Sequence, residues 1–224
     1  FKELSSKIDQ VDLPTNNFKL SSLNFKDAFV DVRLTPNSKA AQAVASTTTA
    51  DTISKTVNPL KVLLQRANLD NVNVVYNNGI GENKTNSFNA NHLNIVSLKG
   101  SLKDIELVDT YIQGAVKDVS FTEKSGFTLQ QLTAKFKYAA KETILENVTL
   151  KTPNTFIQRN IKLQYNAVSD LSENLGTVAI EANLPNNTIG FKDLLWLAPN
   201  LKNTVPFNKY PQAVLNLTAN VKGT

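Results

Sequence analysis

The sequence predicts a mainly β protein: an elongated, curled antiparallel sheet (a β-taco or repeating β-groove) with one short amphipathic helix near residues 190–199. Three observations predict it. Apolar and polar residues alternate with period 2 through much of the 224-residue chain, the signature of strands with one face buried and one wet. A short pattern of apolar, two polar, apolar, any residue, apolar recurs along the chain. Segments with helical spacing are nearly absent.

The strands follow in order. Val72/Val74/Tyr76, Ile161/Leu163/Tyr165, Val178/Ile180/Ala182/Leu184 and Leu215/Leu217/Ala219/Val221 each alternate. The clearest case is Leu132-Thr-Ala134-Lys-Phe136-Lys-Tyr138, with Thr133, Lys135 and Lys137 on the polar side. Asn78-Gly79 after Tyr76 predicts a type I′ hairpin turn, which needs positive φ at both central residues. Ser125-Gly126 before Phe127 predicts a second turn.

The repeat reads Phe25-Lys-Asp-Ala28-Phe-Val30, Leu69-Asp-Asn-Val72-Asn-Val74 and Leu102-Lys-Asp-Ile105-Glu-Leu107. It continues as Val116-Lys-Asp-Val119-Ser-Phe121, Leu129-Gln-Gln-Leu132-Thr-Ala134 and Leu145-Glu-Asn-Val148-Thr-Leu150. A step of three inside a strand reverses the side-chain phase, so the polar pair must be a bulge or corner if both flanking residues face the core. Spaced corners of this kind bend a sheet around one interior.

Two stretches depart from the alternation. Residues 36–59, rich in Ala, Ser and Thr, predict a mobile loop or weak helix. In 190–203, Phe191, Leu194, Leu195 and Ala198 recur at helical spacing, with Asn187-Thr188 as candidate N-cap residues and Pro199 ending the helix. That helix either packs onto the sheet or gates its apolar interior. The whole chain, 1–224, reads as a single fragment of a longer repeating β-groove region, and the absence of Met points the same way.

Composition narrows the function. The net charge is +5, but the lysines are dispersed rather than clustered with aromatics, so no nucleic acid partner is expected. The longest apolar run, Leu194–Ala198, is far short of the ~20 residues that span a bilayer. With no Cys, disulfides and thiolate chemistry are excluded. The single His92, expected at a strand start, cannot support a triad or a His-containing metal cluster. No G-x-S-x-G, dinucleotide or Walker loop occurs, and Asp70-Asn71-Val-Asn73 lacks the turn glycine and terminal Glu of a calcium loop. No enzyme activity, cofactor or metal is expected. Asn supplies 28 residues, which fits many turns or stacked Asn rows in a sheet.

Several segments resemble the AsmA-like superfamily, and within it the TamB-type translocation and assembly module proteins of Bacteroidetes-like bacteria. They are Leu69–Tyr76, Leu93–Leu107, Leu129–Tyr138, Leu145–Pro153 and Phe191–Leu201, within a match spanning most of residues 18–221. The resemblance implies a curled sheet with a continuous hydrophobic trough in the periplasm of a Gram-negative bacterium. It also implies anchoring to the inner membrane by an upstream segment, through which any membrane contact would be made. The implied work is outer-membrane biogenesis: phospholipid transport between the two membranes and help to outer-membrane β-barrel assembly. No catalytic residues transfer, because the family has none.

A sheet one layer thick leaves its apolar face for acyl chains, at ~0.8 kcal/mol per buried methylene. Val72, Val74, Tyr76, Leu132, Ala134, Phe136, Ile161 and Leu163 are the residues expected to line the trough, with Phe191, Leu194, Leu195 and Ala198 as the candidate gating helix. The same side chains would equally serve a closed core between two sheet faces. The expected partners are phospholipid acyl chains and an outer-membrane β-barrel assembly protein. Alternatives are a chaperone-like segment that templates barrel strands through an open edge, or a β-solenoid or sandwich binding segment of a surface protein.

Overall fold

A computed structural model describes residues 1–34, 58–79, 87–89, 91–167, 170 and 175–223. The Ala/Ser/Thr-rich stretch therefore lies, apart from Asn58 and Pro59, outside the described residues. Eleven strands form one sheet: β1 (Glu3–Asp12), β2 (Asn17–Lys26), β3 (Phe29–Arg33), β4 (Lys61–Asn77), β5 (His92–Val108), β6 (Tyr111–Glu123), β7 (Phe127–Ala139), β8 (Glu142–Lys151), β9 (Phe156–Gln164), β10 (Ala179–Gly190) and β11 (Val214–Gly223). The order is β1-β2-β4-β5-β6-β7-β8-β9-β10-β11, with β3 paired to β4 beyond the end of β2. The sheet is an open meander, mainly β and elongated as the alternation predicts. It is neither a stack of solenoid rungs nor a two-sheet sandwich.

The expectation of a purely antiparallel sheet needs correction at one place. β2 and β3 both run parallel to β4, because the connection from β3 to β4 through residues 34–60 is long enough for a crossover, which a tight hairpin is not. The Asn78-Gly79 hairpin is a second correction. Gly79 has φ 68°, but the chain returns only at Asn91, whose carbonyl accepts from the Asn78 N–H at 3.1 Å. A long connection replaces the two-residue turn. Ser125-Gly126 does turn, with Gly126 at φ 113° and its N–H on the Glu123 carbonyl.

The polar pairs of the repeat are corners. Asp27, Asn71, Asp104, Asp118 and Asn147 all take φ between 45° and 54°, the left-handed region that Asn and Asp enter more easily than other side chains. The one repeat with Gln in that position, Leu129-Gln-Gln131, takes no positive φ. Where such a bulge turns its N–H out of the ladder, a side chain on the adjacent strand accepts it. Asp118 N–H donates to Thr133 Oγ1 at 3.0 Å, and Asn147 N–H donates to Asn160 Oδ1 at 2.8 Å. Two more corners follow the same rule without matching the repeat: Ser97 N–H donates to Asn73 Oδ1 at 2.9 Å, and Asn186 N–H to Thr218 Oγ1 at 3.2 Å.

The corners other than Asp104 align across the strands as a crease, marked by register shifts at Leu69/Val72, Val96/Lys99, Val116/Val119, Leu145/Val148 and Leu184/Asn187. Asp104 lies farther along β5 at its own shift, Lys103/Glu106. The residue after five of the corners is buried in the bend, at Ala28, Val72, Val119, Val148 and Asn187, whereas Leu98 after Ser97 and Ile105 after Asp104 are half-buried. Bulges increase local twist and bend the strand that carries them, so a line of them curls the sheet. On β10 the inward position holds Asn187, 1% exposed, whose Oδ1 accepts the Gln158 N–H and whose Nδ2 donates to the Pro185 carbonyl. Its amide is satisfied by backbone groups, as a buried polar side chain requires.

Candidate functional site: the apolar face of the sheet

Cross-strand register decides which side chains share a face, because paired residues project to the same side. One row runs Val11–Phe18–Val62–Leu107–Ile112–Tyr138–Thr143–Leu163–Ile180 from β1 to β10. A second runs Leu23–Ala67–Leu102–Val116–Ala134, and a third Val30–Val74–Ile95–Glu123–Phe127. These rows make one apolar face that crosses the sheet. The opposite face carries rows such as Lys137–Ile144–Lys162–Glu181–Lys222. It also carries an amide ladder in which Asn68 Nδ2 donates to Asn24 Oδ1 at 2.7 Å and Asn24 Nδ2 to Ser5 Oγ at 3.1 Å.

All eight sequence-predicted trough residues fall on the apolar face. Val72 pairs with Leu98, Val74 with Ile95 and Tyr76 with Leu93. Leu132 sits between Val119 and Leu150, Ala134 beside Val116, and Phe136 between Gly114 and Leu145. Ile161 lies between Leu145 and Ala182, and Leu163 between Thr143 and Ile180. They are spread along the face rather than gathered in one pocket. Val72 and Ala134 are buried, and the other six are only half-buried.

Among the described residues no second sheet covers this face; Trp196, backed by Phe88, meets it at Phe127, and Tyr165 meets it at Thr143. On β1 and β11 its side chains are openly exposed, with Leu4, Ile8, Val11 and Leu215 at 47–57%. Gly114 matters here for its space: a Cβ would collide with the Ile105 side chain and come within 3.2 Å of the Ile105 backbone. Its absence lets β5 and β6 close at the Asp104 corner.

The predicted helix is α1 (Phe191–Leu197), followed by a 3-10 turn at Pro199–Asn203. Its N-cap is Gly190, and Asn187 and Thr188 belong to β10. The N-cap expectation is corrected because the strand runs on to the helix without a break. Phe191 is buried, and its ring lies 4.6 Å from that of Phe207. Leu194 and Leu195 are half-buried, and Ala198 caps the C-terminus.

Two anchors hold α1 at the end of the sheet. The Asp193 carboxylate accepts from Thr152 Oγ1 at 2.5 Å, Thr155 Oγ1 at 2.6 Å and Asn154 Nδ2 at 3.4 Å, fixing the helix to the β8–β9 turn. Trp196 stacks on Phe127, with centroids 4.3 Å apart and planes 15° apart, and meets Phe88 at 5.4 Å. Its Nε1 donates to Ser125 Oγ at 2.8 Å, and that hydroxyl donates to Glu123. Glu123 is buried on the apolar face, and its oxygens also accept the Asn94 and Ser125 N–H groups. No local pattern marks Phe88 or Glu123 as members of this cluster, because both come from segments far from the helix.

Among the described residues, no group of three or more His, Cys, Asp or Glu side chains converges, and no helix is long and apolar enough to cross a membrane. In comparisons with known proteins, no family model matches the chain, and no curated protein and no solved structure matches it.

Proposed function

We propose that this chain is a non-catalytic segment of a lipid conduit, in which phospholipid acyl chains lie against the apolar face of the curled sheet. One observation carries the reading: an apolar face spans the sheet from β1 to β10, and no second sheet covers it among the described residues. A face of that extent is costly to leave in water. Ten methylenes laid on it would contribute ~8 kcal/mol before ordering costs, and that contribution is divisible along the face, so a chain can slide. Headgroups would stay at the open rim. The motifs resembling TamB-type proteins support the setting: the periplasm of a Gram-negative bacterium, attachment to the inner membrane through an upstream segment, and transfer of phospholipid toward the outer membrane.

The test is organic extraction and mass spectrometry of the purified protein beside two variants, Phe136→Lys and Leu163→Asp. Both positions are half-buried on the face, so the expected outcome is a retained β-sheet circular dichroism spectrum with co-purifying lipid lost. Unchanged lipid in a folded variant refutes the conduit.

The two open edges favour a second reading. Among the described residues β1 and β11 each pair on one side only, and an exposed edge strand is a template for β-augmentation. Crosslinkers placed along β1 or β11 should capture nascent outer-membrane β-barrel protein if this segment assists barrel assembly.

A further inference from the structure

The excursion between β10 and β11 shapes a cleft of about 540 Å³ over the end of the sheet. Phe127 and Trp196 line it together with Leu195, beside Ser125. Lys192 and Lys202 also line it; both are exposed, and neither forms an ion pair among the described residues. Asp193 lines the cleft as well, Glu123 stands close by, and both carboxylates are held by neutral donors. Asp193 is held by Thr152, Thr155 and Asn154, and Glu123 by Asn94 and Ser125. Two ammonium groups with no ion pair among the described residues therefore stand beside an aromatic wall, and that wall continues through Phe127 onto the apolar face by way of Glu123, Ile95 and Val74.

We infer that this cleft receives the phosphate-bearing head of an anionic phospholipid whose acyl chains run from Phe127 onto the sheet. The arrangement suits an amphiphile: cations reach the phosphate, aromatic and aliphatic surface takes the first methylenes, and the trough takes the remainder. The inference rests on the conduit reading and adds to it a headgroup preference and a place where it is exerted.

The experiment incubates the purified chain with vesicles of phosphatidylglycerol or phosphatidylcholine, re-isolates the protein and quantifies bound lipid by mass spectrometry. Glycerol 3-phosphate serves as a soluble competitor. The expected result is uptake of phosphatidylglycerol about fivefold above phosphatidylcholine at low salt, the scale of two solvent-exposed charge pairs. The K192Q/K202Q variant should bring the two lipids level, and added salt should erode the preference in the unaltered chain. A preference absent from the unaltered chain, or surviving in K192Q/K202Q, overturns this inference and leaves the conduit standing. Binding of neither lipid overturns the conduit and the inference with it. Complete displacement of phosphatidylglycerol by glycerol 3-phosphate overturns the lipid headgroup in favour of a free phosphate.

Discussion

Replacing Asn147 by Val tests whether the crease is set by backbone conformation. Asn147 sits on β8 at φ 52° with its side chain exposed, and its N–H donates to Asn160 Oδ1. The substitution therefore removes no buried contact and leaves that hydrogen bond chemically available. What changes is the cost of the left-handed conformation, about 1–2 kcal/mol for an ordinary L-residue and at the upper end for a β-branched one. Gly at the same position enters that region freely and should lie within about 1 kcal/mol of Asn, its lost strain offset by chain entropy. Lys135→Val is the control, an exposed site on β7 with no positive φ, where Val should be close to neutral. With a urea m-value of about 2 kcal/mol/M, Asn147→Val should lower the unfolding midpoint by roughly 0.5–1 M without changing m. Asn71 on β4 is separated from Asn147 by three strands, so the two Val substitutions should add. The reasoning fails if Asn147→Val costs no more than Lys135→Val. It fails also if Gly destabilises as much as Val, since the side chain and not φ would then be responsible.

Two further outcomes follow from the corner and from the cap. The Asn71 amide donates to Asp27 and, with Lys2, holds that carboxyl below its ordinary value near 3.8; Lys137 does the same for Glu142, chiefly through a hydrogen bond. A depressed folded value favours the ionised form in the fold, so this contribution is present above the unfolded value and is lost as pH falls through the folded one. The urea midpoint should therefore drop less between pH 6 and pH 3 in a D27N/E142Q double variant than in the unaltered chain, and equal drops would show that neither pair matters. Gly190→Ala would put a Cβ against the Asn154 side chain and 2.8 Å from its carbonyl oxygen. Pushing the β8–β9 turn away should cost about 1–3 kcal/mol and loosen the Asp193 anchor. Trp196 is the only tryptophan, so a red-shifted emission reads that loosening directly, and unchanged emission would mean the turn accommodates the methyl.

The crease shows why part of this fold was legible in the sequence. A three-residue step between apolar positions cannot keep one face unless a residue is bulged, and Asp or Asn at the second polar position supplies a residue that accepts the bulge. The repeats at 25, 69, 102, 116 and 145 satisfied both conditions and formed corners. Leu129-Gln-Gln-Leu132 met only the first, and its backbone shows no positive φ. The corner at Asn186 escaped because its inward residue is Asn187, a polar side chain in an apolar slot that only its backbone partners explain. Period 2 placed all eight trough residues on their shared face, because strand geometry makes alternation a statement about faces. It carried no information on pairing direction, so the parallel β2–β4 contact was invisible. The cap cluster was equally hidden: Trp196 meets Ser125 across 71 positions of chain, and no local pattern encodes such a meeting.

The placement of that cap gives the apolar face a direction. The β6–β7 and β8–β9 turns, the ends of β4 and β10 and the starts of β5 and β11 all lie at one end of the sheet. There Trp196 and Phe88 cover Phe127, beside Phe121. At the other end the β5–β6 and β7–β8 connections are two-residue turns, Asp109-Thr110 and Ala140-Lys141, too short to fold back over the face. Val62, Leu107, Ile112, Tyr138 and Leu163 line that end. A long apolar guest laid on the sheet would thus meet an aromatic stop at one end; at the other it would meet the short β5–β6 and β7–β8 turns and, beside them, buried Tyr165, whose hydroxyl bonds to Thr143 and donates to the Ala139 carbonyl. Between them runs the crease, where Val72, Val119 and Val148 turn inward and are nearly sealed from solvent. Guest contact should accordingly be strongest where the residues are half-buried, at Tyr76 toward α1 and at Phe136 and Leu163 toward the opposite end, and weakest at Val72 and Ala134, whose surfaces the sheet has already taken.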